Sequence, residues 1–239
     1  MIGFFNSKIT FFMKKKITII IPCFNEKNFI REILRKVNNQ RKDLDLQIIV
    51  SDDGSDDGTY EFLLNNKSLY DDLIRNDINS GKGSAIKKAI DKIKGDVTII
   101  QDADLEYSPT EYKKLIFPIL ELNADVTYGN RFSNYDYERL HYFSHRIANF
   151  LLTLLVNIFT NVNFKDVECG FKVFKSDILK SIIINENSFG FEIEITKKIC
   201  KKGYKIFQVP VSYNGRSYSD GKKIKLKDAF RALYCILRY

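Results

Sequence analysis

Residues 97–104 read Val-Thr-Ile-Ile-Gln-Asp-Ala-Asp, an apolar run that ends in two carboxylates. Side chains alternate along a strand with a period of two, so Asp102 and Asp104 are predicted to project to the same side at the strand's carboxyl end. In open α/β sheets, that end is where ligands bind. Carboxylate oxygens suit a hard cation such as Mg²⁺ or Mn²⁺, which proteins commonly share with substrate phosphates. The stretch therefore favours a metal-dependent enzyme with a phosphorylated substrate, although a polar turn would explain it if it stood alone.

The sequence around this strand alternates between apolar strands and amphipathic helices. Strands are predicted at 17–21, 47–50, 73–75, 97–101 and 125–128, and helices at 28–39, 57–64, 84–93 and 110–122. Such alternation predicts an α/β fold with a mostly parallel sheet and helices on both faces. Further along, the pattern predicts helices at 145–160, 192–200 and 226–239, strands at 171–174 and 206–213, and a polar loop at 214–223.

Length and composition are those of an ordinary globular protein. The chain has 239 residues, 44% of them hydrophobic and 28% charged, which predicts one domain at 17–239 after an extension at 1–16. The formal charge of +8 favours phosphates, nucleic acid or an anionic membrane surface as partners, without choosing among them. The four cysteines contain no C-x-x-C pair, so neither a zinc site nor a disulfide framework is indicated, and reduced cytosolic thiols are predicted.

Polar loops follow the first two predicted strands at the same edge of the sheet as Asp102. The first reads Pro-Cys-Phe-Asn-Glu at 22–26, and the second, at 51–59, is rich in aspartate and glycine. Acidic side chains there can accept hydrogen bonds from a base or a ribose, and Phe24 can pack on a base. The alternative for the second loop is an acidic turn with a helix cap. Lys82, in a Gly-Lys-Gly-Ser segment that opens a helix, is a candidate for binding a diphosphate.

These motifs, taken in order, resemble family 2 glycosyltransferases. The resemblance is carried by P-C-F-N-E, S-D-D-G-S-D-D-G-T, N-S-G-K-G-S-A, Q-D-A-D-L-E and G-N-R-F, and continues into V-E-C-G-F-K-V-F and F-G-F-E-I-E-I. More narrowly, the chain resembles polyprenyl-phosphate sugar synthases, the dolichyl-phosphate mannose and glucose synthase group. The resemblance implies a glycosyltransferase A fold, a nucleoside-diphosphate sugar donor of the UDP-glucose or GDP-mannose type, a polyprenyl phosphate acceptor and Mg²⁺ or Mn²⁺.

The resemblance also implies roles for individual residues. The nucleoside would be held by Pro22, Phe24, Glu26, Ser51 and Asp53. Asp102, Ala103 and Asp104 would lie at the metal and the diphosphate, with Glu106 as a third metal ligand. Glu106 departs from the glutamine that is frequent in mannose synthases, which leaves its metal contact open. The basic residues Arg131, Arg216 and Lys222 match positions near donor or acceptor phosphates.

The predicted reaction is a direct displacement with inversion at the anomeric carbon. The metal, held by Asp102 and Asp104, would stabilise the leaving diphosphate together with Lys82 and the basic residues, Arg131 among them. A lipid phosphate is already ionised near neutral pH and needs no strong base, whereas a hydroxyl acceptor does. Asp166 or Glu168 could supply that base or orient the acceptor, and the sequence leaves both roles open. The nearest alternative is therefore a family 2 enzyme that adds sugar to a saccharide hydroxyl in envelope polysaccharide synthesis.

Two predicted helices indicate where in the cell the protein lies. The apolar helix at 145–160 and the basic amphipathic helix at 225–239 suit shallow insertion at an anionic membrane surface, although packing on the sheet or on a second subunit explains either one alone. We predict peripheral attachment to the inner face of the cell membrane. A nucleic-acid-binding protein would leave the carboxylates unexplained, and a nicotinamide enzyme would need a glycine fingerprint that is missing after the first strand.

Overall fold

The structure is a computed structural model that describes residues 15–133, 142–216 and 226–239. Strands are β1 (Lys16–Cys23), β2 (Asp45–Asp52), β3 (Asp72–Arg75), β4 (Val97–Ile100), β5 (Val126–Asn130), β6 (Lys172–Lys175) and β7 (Ile206–Pro210). Helices are α1 (Ile30–Asn39), α2 (Thr59–Asn65), α3 (Lys82–Ile90), α4 (Tyr112–Glu121), α5 (Phe143–Thr160), α6 (Ser176–Lys180), α7 (Gly190–Lys201) and α8 (Leu226–Arg238). Each predicted strand and helix has a counterpart here, and the short α6 is additional.

The strands form one seven-stranded sheet in the order β3-β2-β1-β4-β6-β5-β7. β1 pairs in parallel with β2 and β4, and β5 pairs in parallel with β7, but β6 runs antiparallel to both of its neighbours. The sheet is therefore mixed and mostly parallel, as the alternation predicts. Because β6 is reversed, it begins at the edge where β1, β2 and β4 end, and the segment before it leads to that edge.

Alternating side chains divide the core between the two faces of the sheet. Ile19 of β1 faces one apolar cluster, which includes residues of α1, α2 and α4, and Ile20 faces the other, which includes residues of α3, α5, α6, α7 and α8. Both side chains are fully buried. Removing such apolar surface from water is the main favourable term in folding, so the long apolar strands require helices on both faces.

The ends of some elements differ from the sequence-based boundaries. β4 ends at Ile100, so Asp102 and Asp104 lie in the loop after the strand and not on the strand itself. α3 begins at Lys82, after Gly81 adopts a φ of +102°, a conformation that side chains with a Cβ atom rarely adopt. Most of the predicted extension, the loop residues 217–223 and Lys222 lie outside the described residues.

Candidate active site

A cavity of about 570 Å³ opens at the carboxyl edge of the parallel strands. The following residues singled out in the sequence line it: Pro22, Phe24, Glu26, Asp53, Lys82, Asp102, Ala103, Asp104, Glu106, Arg131, Glu168 and Arg216. Ser51 and Asp166 are buried beside the cavity without lining it. The fold thus brings loops that are far apart in sequence into one crevice, as expected for a ligand site at this edge.

The loops after β1 and β2 are held together by side-chain hydrogen bonds. The amide of Asn25 donates to Ser55 Oγ at 2.9 Å, and the Asn25 side chain exchanges hydrogen bonds with Asp56. The amide of Glu26 donates to Thr59 Oγ1 at 2.9 Å. The acidic second loop therefore supports the first, and together they place Phe24 and Glu26 at the cavity wall.

Asp53 organises the loop that leads into α3. Its carboxylate accepts hydrogen bonds from Asn76 Nδ2 at 2.5 Å, from the Ser80 amide at 3.1 Å and from the Gly81 amide at 2.6 Å. Ser51 lies deeper, where its hydroxyl donates to the carbonyl of Ala85 at 2.8 Å. Of the two residues predicted to bind the nucleoside here, Asp53 lines the cavity and also bonds to the loop before α3. Ser51 does not line the cavity and instead bonds to α3 itself.

Lys82 joins two carboxylates at the floor of the cavity. Its Nζ lies 2.7 Å from Asp102 Oδ1 and 2.9 Å from Glu192 Oε1. Burial disfavours the charged lysine, but the charges of Asp102 and Glu192 outweigh it and raise the pKa of Lys82 above its ordinary value. Lys82 is therefore a permanent cation beside Asp102, placed at the amino end of α3 where the helix dipole also favours an anion.

Asp104 contacts a different cation from the one that contacts Asp102. Arg216 Nη2 lies 3.2 Å from Asp104 Oδ2, and Arg216 also pairs with Glu26 at 3.1 Å. Burial, followed by the negative charges of Asp102 and Glu106, raises the pKa of Asp104 to about 7, with Arg216 opposing the shift. Asp104 can therefore exchange a proton near neutral pH, mainly because it is buried, and the neighbouring carboxylates add to the effect.

Glu106 anchors the segment that carries Arg216. Its carboxylate accepts from Tyr213 Oη at 2.9 Å and from the Arg216 amide at 2.7 Å, while its carbonyl accepts from the Asn214 amide at 2.9 Å. Both carboxylate oxygens are engaged, so metal ligation by Glu106 would require these bonds to break. Among the described residues, no group of three or more His, Cys, Asp or Glu side chains is arranged to hold a metal ion.

Arg131 and Asp166 form a buried, two-pronged ion pair at the far side of the cavity. Arg131 donates through Nε and Nη2 to the two Asp166 oxygens at 2.8 Å each, and its amide adds a third bond. Burial disfavours both charged forms, but the pairing lowers the pKa of Asp166 and raises that of Arg131. Asp166 is thereby kept ionised and positions Arg131, which alone of the two reaches the cavity.

Glu168 differs from the other acidic residues of the site. Its Oε1 atom is buried and has no hydrogen-bond partner among the described residues. Burial and then the charge of Glu192 raise the pKa of Glu168 to about 7, against the opposing influence of Lys172 and Arg131. Glu168 can therefore exchange a proton near neutral pH, which Asp166 cannot.

The raised pKa of Glu168 predicts a pH-dependent stability difference between the protein and its Glu168→Gln variant. The pKa of Glu168 rises from an ordinary 4.5 to about 7 on folding, so the favourable contribution of the protonated form is complete below pH 4.5 and is lost as the pH rises through 7. Relative to the variant, the parent should lose up to roughly 3 kcal/mol of unfolding free energy across this range, at 1.36 kcal/mol per pKa unit. Urea unfolding of both proteins between pH 4.5 and 8 measures it, and a constant difference would contradict it.

Glu192, Tyr107 and Tyr213 line the cavity although sequence reasoning did not select them. Glu192 pairs with both Lys82 and the fully buried Lys172, and the pairings lower its pKa despite burial. A charged residue within the apolar stretch of α7 is the signal that could have identified it. The two tyrosines carry no such signal, because aromatic residues ordinarily belong to the core.

Comparison with known proteins agrees with the fold and the motifs. The family model of Glycosyl transferase family 2 matches residues 18–183. The structure resembles glucosyl-3-phosphoglycerate synthase from Mycobacterium tuberculosis, crystallised with Mn²⁺ and UDP-glucose, with a TM-score of 0.73 at 18% identity over 99% of this chain and 82% of that one. The architecture is thus that of the glycosyltransferase A fold. The chain belongs to glycosyl transferase family 2.

Relatives in sequence narrow the resemblance within the family. An uncharacterized protein of Methanocaldococcus jannaschii is 34% identical over 86% of this chain and 93% of its own length. A dolichol-phosphate mannosyltransferase of Pyrococcus furiosus is 27% identical over 93% of this chain, which spans 63% of that protein. A dolichyl-phosphate β-glucosyltransferase of Trichomonas vaginalis is 26% identical over 88% of this chain and 68% of its own. The predicted resemblance to polyprenyl-phosphate sugar transferases is confirmed.

Proposed function

We propose that this protein transfers a hexose from a nucleoside-diphosphate sugar to a polyprenyl phosphate, inverting the anomeric carbon. The proposal is carried by one observation: the loops after β1 and β2, the carboxylates Asp102 and Asp104, and the cation Arg131 line a single cavity. An oxygen of the lipid phosphate would form a bond to the anomeric carbon. The bond from that carbon to the diphosphate would break, and its electron pair would leave with the nucleoside diphosphate.

The carboxylate oxygens in the cavity are suitable ligands for Mg²⁺ or Mn²⁺. Hard cations prefer oxygen ligands and are often held by one or two carboxylates together with substrate phosphates. Asp102 and Asp104 are two such carboxylates, and both line the cavity. Asp102 and Asp104 would hold the ion, exchanging their present contacts with Lys82 and Arg216 for it. When bound, the ion would neutralise charge on the diphosphate. Lys82 and Arg216 would then be available to the phosphate oxygens.

The remaining site residues divide by position along the sheet edge. Phe24, Glu26 and Asp53 stand at the β1 and β2 end, where the nucleoside would lie, with Pro22 and Ser51 supporting them. Ala103 separates the two carboxylates. Arg131 stands beyond them and, held by Asp166, would attract the acceptor phosphate. Lys222, outside the described residues, is proposed to add a further cation, and Glu106 to hold the segment carrying Arg216.

A hydroxyl acceptor on a saccharide is the second candidate. The observation that favours it is Glu168, whose pKa of about 7 suits a general base. An ionised lipid phosphate would not need that base. Acceptor dependence therefore separates the two candidates.

The test is transfer of labelled sugar from a panel of nucleotide sugars, with Mn²⁺, into undecaprenyl phosphate. Radioactivity in the lipid phase that requires the lipid is the expected result and identifies the donor. Donor hydrolysis or transfer to saccharides, with no lipid product, would support the second candidate. Absence of turnover with every donor would contradict the enzymatic assignment.

We also propose that α5 lies on the cytoplasmic face of the membrane. By length and composition α5 could cross a membrane, and 11% of its 18-residue window is buried. Its exposed apolar stripe comprises Phe143, Ile147, Phe150, Leu151, Leu154, Ile158 and Phe159. Its polar face instead touches the site, where Asn149 Oδ1 accepts from Arg131 Nη2 at 3.0 Å. A one-sided helix of this kind suits the membrane plane and would bring a lipid phosphate toward Arg131.

The C-terminal helix α8 contributes less charge to the proposed membrane contact than its sequence implies, because one of its basic residues is paired within the protein. Cys235 and Ile236 of α8 are fully buried in the core, and Arg231 pairs with Glu186 at 2.8 Å. Arg231 therefore holds the helix to the protein. Leu233, Tyr234 and Leu237 remain exposed, so the helix would add apolar contact at a membrane surface.

Leu154→Glu on α5 is expected to reduce flotation with vesicles of phosphatidylcholine and phosphatidylglycerol severalfold, because a charge in the apolar stripe opposes insertion. Leu64→Glu on α2 is the matched control: Leu64 is also 42% exposed, but α2 lies on the opposite face of the sheet. Equal flotation of the two variants would contradict the proposed orientation. Flotation of neither the variants nor the parent would contradict membrane attachment altogether.

A further inference from the structure

The strand order sets Glu168 apart from the nucleoside loops. Those loops follow β1 and β2, whereas Glu168 precedes β6, on the other side of β4. The chain near Glu168 touches the carboxylate that follows β4, because a Cβ atom added to Gly170 would overlap Asp102 Oδ2. If the proposed function holds, a nucleotide sugar with its diphosphate at Asp102 and Asp104 would extend its sugar to Glu168.

The backbone on both sides of Glu168 is fixed. The ammonium group of Lys172 donates to the carbonyl of Val167 at 3.2 Å and to that of Cys169 at 2.7 Å. The Gly170 amide donates to Tyr107 Oη at 3.0 Å. Lys172 is itself fully buried and paired with Glu192. Such supporting bonds hold a binding group in place before the ligand arrives.

One oxygen of the carboxylate held there has no hydrogen-bond donor among the described residues. Glu168 Oε1 is buried and without a hydrogen-bond partner in the part of the chain that the structure describes, whereas the great majority of buried polar atoms in proteins are paired. A ligand that donates hydrogen bonds would satisfy it. An acceptor phosphate would be repelled by a carboxylate and attracted to Arg131, and an apolar lipid tail would leave the oxygen unpaired. The hydroxyl groups of a sugar ring meet the requirement.

We infer that Glu168 recognises the transferred sugar, accepting hydrogen bonds from hydroxyl groups of the hexose and so helping to select the nucleotide sugar. This inference rests on the proposed function and gives Glu168 a role in donor specificity. It also accounts for a carboxylate that a phosphate acceptor does not need as a base.

Isothermal titration calorimetry with Mn²⁺ tests the inference without turnover. The probes are UDP-glucose, UDP-galactose, UDP-N-acetylglucosamine and GDP-mannose, each compared with free UDP or GDP. Glu168→Gln should raise the Kd of the nucleotide sugar that the parent binds most tightly by about tenfold or more, as loss of a hydrogen bond to a charged group does. The free nucleotide should bind unchanged, since it would not reach Glu168. Glu32→Gln, the same change on the exposed face of α1, should alter neither.

Each alternative outcome has a distinct meaning. Equal nucleotide-sugar affinity in the parent and in Glu168→Gln would overturn the inference. If the variant also lost kcat, Glu168 would be a base. Should the parent bind no nucleotide sugar, the proposed function falls first. Glu168→Asp, which keeps the charge but withdraws it from the cavity, provides a second variant: selective weakening of the sugar-bearing ligand supports the inference, and equal weakening of the free nucleotide contradicts it.

Discussion

Asp104→Asn is expected to abolish sugar transfer, lowering kcat by at least about 100-fold, the order seen when one group that stabilises a transition state is removed. Asp104 is one of two cavity carboxylates proposed to hold the metal beside the leaving diphosphate. An amide of the same shape cannot supply that charge. The fall should appear in kcat with every donor that the parent accepts.

The same substitution should leave the fold intact. Because the folded protein raises the pKa of Asp104 to about 7, its ionised form is disfavoured on folding, and an uncharged side chain removes that penalty. Arg216 retains its pair with Glu26. The thermal midpoint is therefore expected to stay level or rise.

Asp91→Asn is the matched control, since Asp91 is exposed at the end of α3, and it should retain full activity and stability. Full transfer activity in Asp104→Asn would remove Asp104 from the metal and diphosphate site. Loss of activity together with a large fall in the thermal midpoint would instead indicate a structural role.

The largest effect on stability is expected at the Arg131–Asp166 pair. The Asp166 side chain is fully buried and that of Arg131 is 15% exposed. Removing one partner leaves an uncompensated buried charge, which in other proteins costs about 3–5 kcal/mol. Asp166→Leu and Arg131→Met should each lower the free energy of unfolding, measured in urea, by that order.

The double variant separates stability from function. Combining Arg131→Met with Asp166→Leu removes both charges, so part of the lost stability should return, because apolar residues often replace buried pairs without penalty. Transfer activity should not return, since the cation at the cavity is gone. Recovery of activity in the double variant would show that Arg131 does not act on a substrate phosphate.

An exposed ion pair provides the comparison for these variants. Lys113 and Asp43 lie 2.9 Å apart with more than half of each side chain exposed, and such surface pairs contribute about 0–1 kcal/mol. Asp43→Asn should therefore change stability little. A loss in Asp166→Leu no greater than in Asp43→Asn would contradict the importance assigned to the buried pair.

Local patterns were sufficient for the elements of the fold and for much of the cavity. Strand and helix periodicities identified β1, β2 and β4 with their helices, because burial on both faces demands continuous apolar strands. Parallel strands end at one edge, so Phe24, Lys82 and Asp102 could be placed together from sequence. The order of the motifs indicated family 2. Nothing in these patterns, however, defines which side chain contacts which.

The pairing of charges was decided by the tertiary structure. Arg131 meets Asp166 across 35 positions, and Glu106 meets Tyr213 across 107. Such contacts depend on how loops from distant segments converge, which helical and strand periodicities do not encode. For that reason the sequence did not reveal that Glu106, which stays a predicted metal ligand, accepts hydrogen bonds from Tyr213 and the Arg216 amide. Nor did it reveal that Lys82, which stays predicted at a diphosphate, contacts Asp102 and Glu192.

By itself, the sequence determined the α/β class, the family and the edge of the sheet at which the cavity opens, because these follow from periodicity and from motifs in order. Only the tertiary structure decided that β6 runs antiparallel and carries Glu168 into the cavity. It also decided that Asp166 is paired with Arg131, whereas Glu168 Oε1 has no hydrogen-bond partner among the described residues. The physical reason is that a carboxylate's chemistry depends on its burial and on its neighbours in space, and both arise when the sheet is assembled.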